Sequence, residues 1–144
     1  FTVNPLVEMV NTDIDYAKEF KRNSLLITDY SSVFFDFGYL KKPIIYTQFD
    51  REIFFKDQAY DKGYFSYEND GFGLVCNTVD ETITEIIKLI ENDCRMEKKY
   101  LSRVETFFAF YDQCNCERIY NEILKLDFIA NDYVICYTKD NMIG

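Results

Sequence analysis

The strongest constraint on the fold is a strand, a tight turn, a helix and a second strand that follow one another closely. The apolar run at residues 24–28 is too short for a helix and suits a buried strand. The turn at residues 29–32 interrupts it, and residues 33–40 continue at the apolar density of a helix. Pro43 then ends that helix, and residues 44–46 predict a second buried strand. This order is typical of a parallel α/β unit.

A short helix is expected upstream of this unit, near residues 13–22. Thr12 and Asp15 have the spacing of a capping box there. Downstream, residues 48–73 show no sustained period, which predicts a long irregular segment with at most one short helix. Loops of this length often carry function.

The second half of the chain predicts one more strand and several helices. Residues 74–76 suit a short strand, and the capping box at residues 78–81 begins a helix that reaches about residue 92. Its apolar residues fall on one face, the pattern of a helix that packs on a core: Val79, Ile83, Ile86, Ile87 and Ile90. Further helices are expected over residues 95–110, with a buried stripe of Tyr100, Val104, Phe107 and Phe108, and over residues 116–126. The expected fold is α/β, a Rossmann-like, mainly parallel sheet flanked by helices.

The charge balance excludes a broad surface for nucleic acid. Sixteen Lys and Arg against twenty-five Asp and Glu give a formal net charge of −9 at pH 7. Any phosphate site must therefore be local, and no nucleic-acid partner is expected. No apolar run reaches the roughly 18 residues that a membrane span needs, so a soluble intracellular protein is expected.

Histidine is absent from the sequence, which removes the commonest general base and metal ligand. Catalysis here would therefore need groups from elsewhere. The five cysteines are scattered, and Cys114 and Cys116 are too close in sequence for a typical zinc pair. We expect these two to pack in the interior, and we predict no metal site. The chain begins at Phe1 rather than Met, and we expect it to be a piece of a longer protein.

The turn at residues 29–32 is the first candidate binding site. In open α/β sheets, ligands bind where the carboxyl end of a strand leads into a helix. Backbone N–H groups and two adjacent hydroxyls, those of Ser31 and Ser32, suit a phosphate group at such a position. The alternative is that one of these serines only caps the helix.

Asp36 is the second candidate, because it follows the two serines by about one helical turn. Its carboxylate would suit the vicinal hydroxyls of a ribose, as the acidic residue of dinucleotide-binding folds does. An acid in so apolar a stretch needs a polar partner or access to water. The alternative is an exposed carboxylate that only stabilises the first turn of the helix.

Two segments of this region closely resemble the CDP-glycerol glycerophosphotransferase family, which makes polymers of the teichoic-acid type. They are LITDYSSVFFD at residues 26–36 and LKKP at residues 40–43. Later parts of the chain are similar to later blocks of the family in the same order: residues 46–50, 63–65, 71–73 and 112–118. The resemblance covers roughly residues 10–125, and the tail after Leu126 has no counterpart.

The resemblance implies a two-domain GT-B architecture. Residues 1–126 would be part of the C-terminal domain, which binds the donor nucleotide, and residues 127–144 a tail with no assigned structure. The implied donor is CDP-glycerol or a related CDP-polyol, and an acceptor hydroxyl attacks the phosphorus attached to glycerol with release of CMP. Ser31 and Ser32 would hold the donor diphosphate and Asp36 the ribose. No cofactor is implied, and the metal requirement stays open.

Arg118 matches a position where the family tends to keep an arginine or a polar residue. A guanidinium suits the diphosphate, because it can donate two parallel hydrogen bonds. The alternative is a surface ion pair with Glu117 or Glu122. Arg51 is a weaker candidate for the same role.

The resemblance also implies that the catalytic histidines lie upstream, so no catalytic residue is assigned in this chain. The chain alone is not expected to turn over. A polymer or lipid-linked acceptor would bind through the N-terminal half, and the protein would work at the inner face of the cell membrane, with its membrane contact outside this chain. Two other functions stay open: a nucleotide-sugar-dependent GT-B glycosyltransferase or epimerase, and a non-catalytic nucleotide-binding or interaction domain.

Overall fold

A computed structural model describes residues 4–9, 14–57 and 63–126 of the chain. The strands in these ranges are β1 (Leu26–Thr28), β2 (Ile44–Thr47) and β3 (Gly73–Cys76). The helices are α1 (Tyr16–Arg22), α2 (Val33–Tyr39), α3 (Arg51–Asp57), α4 (Val79–Glu91), α5 (Lys98–Phe107) and α6 (Asn115–Leu124). The chain divides into a first compact unit, residues 1–109, and a second, residues 110–144.

The three strands form one parallel sheet in the order β1, β2, β3. Leu26 of β1 pairs with Ile44 of β2, which pairs in turn with Gly73 of β3. Parallel neighbours need a long crossover, and α2 supplies it between β1 and β2. The predicted α/β class with a parallel sheet is confirmed.

One face of the sheet packs against α2 in a core made mainly of aromatic rings. Phe34 and Phe37 of α2 lie fully buried against Tyr46 of β2 and Phe72. The ring of Phe34 meets that of Tyr46 edge-on, with centroids 5.1 Å apart. The Phe72 backbone N–H donates to the Tyr46 hydroxyl at 3.1 Å, so this buried phenol keeps a polar partner. These contacts fix the start of α2, and with it the turn that precedes the helix.

Two glycines permit this packing because a side chain would not fit. A Cβ at Gly38 of α2 would stand 2.5 Å from Cδ2 of Phe72. A Cβ at Gly73 would overlap the carbonyl oxygen of Ile44, its partner across the sheet. At both positions the backbone approaches a neighbouring group too closely to leave room for a side chain, so glycine is needed.

The opposite face of the sheet packs against α4, but not through the predicted stripe. Ile45 and Cys76 contact Leu89 of α4, with Ile86 packed beside them. The buried residues of α4 are Thr82, Glu85 and Leu89. The rest of the predicted stripe is 49 to 61% exposed: Val79, Ile83, Ile87 and Ile90. The prediction that this apolar stripe of α4 faces the core is therefore wrong. Only one side of a helix can contact the sheet, and in α4 it is the side with Thr82 and Leu89.

Two predicted helix starts are tested by their caps. Thr78 accepts a hydrogen bond from the backbone N–H of Glu81, which confirms Thr78 as the cap of α4. The Glu81 carboxylate accepts from the N–H of Asn77, one residue before the N–H that a strict capping box uses. Helix α1 begins at Tyr16, later than the predicted residue 13, because Asp15 occupies the cap and accepts from the Lys18 N–H. Thr12 lies outside the described residues.

Helix α5 matches most of its predicted stripe. Tyr100 and Val104 are buried, and Phe108 is half-buried against the α2 core, whereas Phe107 is partly exposed. In the second unit, α6 has no buried residue among those described. Residues 127–144, to which the sequence assigned no structure, lie outside the described ranges. None of the helices described is both long and apolar enough to cross a membrane.

Candidate functional site

The candidate site lies at the edge of the sheet where all three strands end. Because the strands are parallel, their carboxyl ends meet at one edge, and the turn at residues 29–32 leaves β1 there. The Thr47 hydroxyl at the end of β2 donates to the carbonyl of Thr28 at 3.2 Å. This bond ties the ends of β1 and β2 together directly beneath the turn.

The serine turn presents two exposed hydroxyls. Asp29 shapes it, because its carboxylate accepts a hydrogen bond from the Ser31 backbone N–H at 3.2 Å. Both Ser31 and Ser32 are exposed. Ser32 occupies the N-cap position of α2, yet within the described chain its side chain makes no cap hydrogen bond. The alternative that Ser32 serves only as a helix cap therefore finds no support in the geometry.

Asp36 lies in the first turn of α2 and is exposed to solvent. The buried side chains of this helix are Phe34 and Phe37, so Asp36 escapes the desolvation that its apolar sequence context suggested. Residues four apart share one side of a helix, which brings Asp36 to the same side as Ser32. The turn and the carboxylate are thus held at one end of a helix whose other side is anchored in the core.

An aromatic cavity of about 510 Å³ opens beside Ser32. The ring of Tyr30 stacks on that of Phe54, with centroids 3.7 Å apart. The Tyr30 hydroxyl donates to Asp50 at 3.2 Å, and Tyr67 donates to the Tyr30 carbonyl. Burial, followed by the Asp50 hydrogen bond, raises the pKa of Tyr30 to about 12. The sequence alone did not identify these residues as the lining of a cavity, because they are distant in sequence and belong to no motif.

Arg51 lines the same cavity and forms an ion pair with Glu68. A second cavity, of about 380 Å³, lies where β2 and β3 end, and Arg51 lines it too, with Gln48 and Asn77. Gln48 was also missed from the sequence, since a single glutamine after a strand is not a recognisable signal. Arg51 thus lines both cavities.

Arg118 belongs to the second unit and is held by its own neighbours. Its guanidinium donates to both carboxylate oxygens of Asp112, at 3.0 and 2.6 Å, and to the side-chain oxygen of Asn115 at 2.6 Å. The guanidinium also lies over the ring of Phe110, 3.8 Å from its centroid. The hydrogen bonds from Arg118 and from the Cys114 N–H lower the pKa of Asp112 to about 2. The ion pair is thus made with Asp112 rather than with Glu117 or Glu122.

Comparison with known proteins establishes the family. The model of the family "CDP-Glycerol:Poly(glycerophosphate) glycerophosphotransferase" matches residues 4–125. The chain belongs to this family. The assignment first suggested by residues 26–36 is therefore confirmed.

Curated relatives of this glycerophosphotransferase-family chain are proteins of teichoic acid synthesis. The minor teichoic acid biosynthesis protein GgaB of Bacillus subtilis (strain 168) is 41% identical over 127 residues, 88% of this chain and 14% of that protein. The teichoic acid poly(glycerol phosphate) polymerase of the same strain is 31% identical over 78% of this chain and 15% of its own length. A teichoic acid poly(ribitol-phosphate) polymerase of Bacillus spizizenii is 28% identical over 69% of this chain and 15% of its own length. The chain thus spans about one seventh of these relatives, and no solved structure matches it significantly.

Thiols and carboxylates are the side chains of this family member that could bind a metal ion. Among the described residues, no three Cys, Asp or Glu side chains are grouped closely enough to hold a metal ion. Cys114 and Cys116 are exposed free thiols, so the expectation that they pack in the interior is wrong. They lie where α6 begins, and this helix buries none of its described residues.

Proposed function

We propose that this chain is the donor-binding part of a glycerophosphotransferase that acts on CDP-glycerol or a related CDP-polyol. The whole protein would transfer glycerol phosphate to a teichoic-acid-like or capsular polymer and release CMP. The observation that carries the proposal is the serine turn. Ser31 and Ser32 lie exposed at the carboxyl edge of the sheet, within the segment that resembles the family, and the Ser32 hydroxyl is not used as a helix cap.

In this proposal Ser31 and Ser32 hold the donor diphosphate and Asp36 holds the ribose. The hydroxyls donate to phosphate oxygens, and the carboxylate accepts from the two ribose hydroxyls. Arg118 is proposed as a further diphosphate ligand, which would require its guanidinium to leave Asp112 and Asn115. Its existing bidentate geometry with a carboxylate is the geometry that a phosphate would take.

The transfer itself uses groups beyond this chain. The acceptor oxygen forms a bond to the phosphorus attached to glycerol, the bond from that phosphorus to the bridging oxygen breaks, and CMP leaves. The sequence has no histidine, so the general base for the acceptor hydroxyl is proposed to lie in another part of the protein. Positioning of the donor is the contribution of this chain.

The architecture proposed is GT-B, with residues 1–126 as part of its C-terminal donor-nucleotide domain. The parallel sheet and the ligand site at its carboxyl edge support this proposal. The acceptor, a polymer or a lipid-linked chain, would bind through the remaining parts of the protein. The location proposed is the cytoplasmic face of the cell membrane, as the resemblance to the family implies.

Ligand binding tests the proposal through saturation-transfer NMR with CMP, CDP-glycerol and UDP-N-acetylglucosamine. We expect the cytidine ligands to bind and the affinity to fall about tenfold or more in Ser31→Ala/Ser32→Ala and in Asp36→Ala, since each change removes hydrogen bonds to a charged group. Two matched controls should retain binding: Ser102→Ala, an exposed serine on α5, and Asp80→Ala, an exposed acid in the first turn of α4. A preference for the uridine ligand would instead favour a nucleotide-sugar transferase, and binding that ignores the site variants would refute the assigned residues.

A further inference from the structure

Gln48 is a buried side chain whose polar atoms have no hydrogen-bond partner among the described residues. The residue is 1% exposed, and both its Nε2 and its Oε1 are unpaired there. Its backbone N–H is satisfied, because it donates to the carbonyl of Cys76 at 2.9 Å. Buried amides in folded proteins almost always find a partner, so one held in this way points to a group that the protein binds.

The register of the sheet places Gln48 at the candidate site. Thr28 pairs with Tyr46, and Thr47 pairs with Cys76. Gln48 directly follows Thr47, whose hydroxyl donates to the carbonyl of Thr28, the last residue of β1, at 3.2 Å. The Tyr30 hydroxyl donates to Asp50, which lines the same cavity as Gln48, so this cavity adjoins the serine turn.

The cavity that Gln48 lines has the character of a site for a neutral, hydroxyl-rich group. It measures about 380 Å³, and its other polar residues are Asp50, Arg51, Glu52 and Asn77. Asp50 already accepts a hydrogen bond from Tyr30, and Arg51 is paired with Glu68. The Arg51 charge is therefore compensated, and the carboxylates of Asp50 and Glu52 make the cavity unsuited to a phosphate. Its amides and carboxylates are suited to hydroxyl groups.

An amide side chain matches hydroxyl groups because it offers both donors and an acceptor, and each hydroxyl likewise donates and accepts. The donor molecule has the order ribose, diphosphate, polyol. The turn with Ser31 and Ser32 connects β1 to α2. Gln48 lies near the end of β1, on one side of this turn, and Asp36 lies on α2, on the other side. A donor with its ribose at Asp36 and its diphosphate at the serines would thus extend its third part towards the end of β2.

We propose that Gln48 binds the hydroxyl groups of the polyol that the donor carries beyond its diphosphate. Gln48 is then the residue through which this site distinguishes a CDP-polyol from a plain cytidine nucleotide. The inference rests on the proposed function, since it takes the position of the diphosphate from Ser31 and Ser32.

The test compares the dissociation constants of CDP-glycerol and of CDP. The wild-type chain should bind CDP-glycerol about tenfold more tightly than CDP, a difference of about 1.4 kcal/mol. Gln48→Met keeps the size of the side chain and removes its polar atoms, so it should abolish this advantage and leave the affinity for CDP unchanged. Gln113→Met makes the same chemical change at an exposed position and should preserve the advantage.

The outcomes separate the two proposals. If CDP itself does not bind, or binds independently of Ser31 and Ser32, the proposed function fails. If CDP binds there but CDP-glycerol has no advantage, or Gln48→Met retains it, the role of Gln48 is refuted. A second measurement needs no variant: the wild-type complex should show nuclear Overhauser contacts between the Gln48 amide protons and the glycerol protons, and a bound donor without them would also refute the inference.

Discussion

On one face of the sheet α2 buries Phe34 and Phe37 completely, whereas on the other face α4 leaves four apolar side chains about half exposed. Both helices carry a clear apolar stripe, yet only that of α2 is covered along its length. The α2 face is held by interlocking aromatic rings, and the α4 face by a smaller cluster around Ile45 and Leu89. A similar pattern in the sequence thus gives two different degrees of burial.

The candidate site is attached to the better packed of these two faces. Ser32 occupies the N-cap of α2 and Asp36 lies in its first turn, and the inner side of this helix is fixed by Phe34 and Phe37. A binding site needs side chains held in place by a rigid support. We therefore expect substitutions in the α2 core to disturb the geometry of the site, and substitutions on the exposed stripe of α4 to leave it unchanged.

The largest effect is expected from Phe34→Ala. Loss of a fully buried ring leaves a cavity, so the free energy of unfolding should fall by about 3–5 kcal/mol. Ile87→Ala on the exposed stripe of α4 should change it by less than about 1 kcal/mol. Urea unfolding followed by circular dichroism measures both values, and equal losses would contradict the proposed difference between the faces.

A smaller effect is expected from Gly38→Ala, which adds one methyl group to the α2 core. Its Cβ would stand 2.5 Å from Phe72, so the ring or the helix must shift, at a cost of about 1–3 kcal/mol. Gly63→Ala is the matched control, because a Cβ there meets nothing within 4 Å. The melting temperatures of the two variants should therefore differ, and a stable Gly38→Ala protein would show that this core is loosely packed.

The smallest effect is local to the second unit. The pKa of Asp112 should be about 2 in the folded chain and should return towards the ordinary value near 4 in Arg118→Gln. Because the pKa is lowered on folding, the stabilisation is present above about pH 4 and is lost as the pH falls through 2. Carbon-detected NMR titration of the Asp112 carboxyl measures this shift, and an unchanged pKa in the variant would contradict the ion pair.

Local signals in the sequence predicted most of the fold. Short apolar runs located the strands, and the cap at Thr78 and the proline at residue 43 located helix boundaries to within a few residues. The rotation of α4 was not predictable, because periodicity shows which residues are apolar but not which stripe meets the sheet.

The candidate site was predicted where it rests on a contiguous segment and missed where it rests on distant contacts. Ser31, Ser32 and Asp36 lie within one turn and one helix. Tyr30 meets Asp50 and Phe54 only after the chain has crossed the sheet. The lack of a side-chain partner for Gln48 among the described residues depends on its surroundings in the fold. Arg118 pairs with Asp112 across the start of α6, and not with Glu117 or Glu122, the acids near it within the helix.

The central claim is that the donor binds at the carboxyl edge of the sheet on the side of α2. Amide chemical shifts of the chain titrated with CDP-glycerol test it most directly. We expect the largest shifts at Ser31, Ser32 and Asp36 and no significant change at Ile83 or Ile87 on the exposed stripe of α4. Largest shifts on α4, or a saturating titration that leaves the serine turn unmoved, would contradict the account.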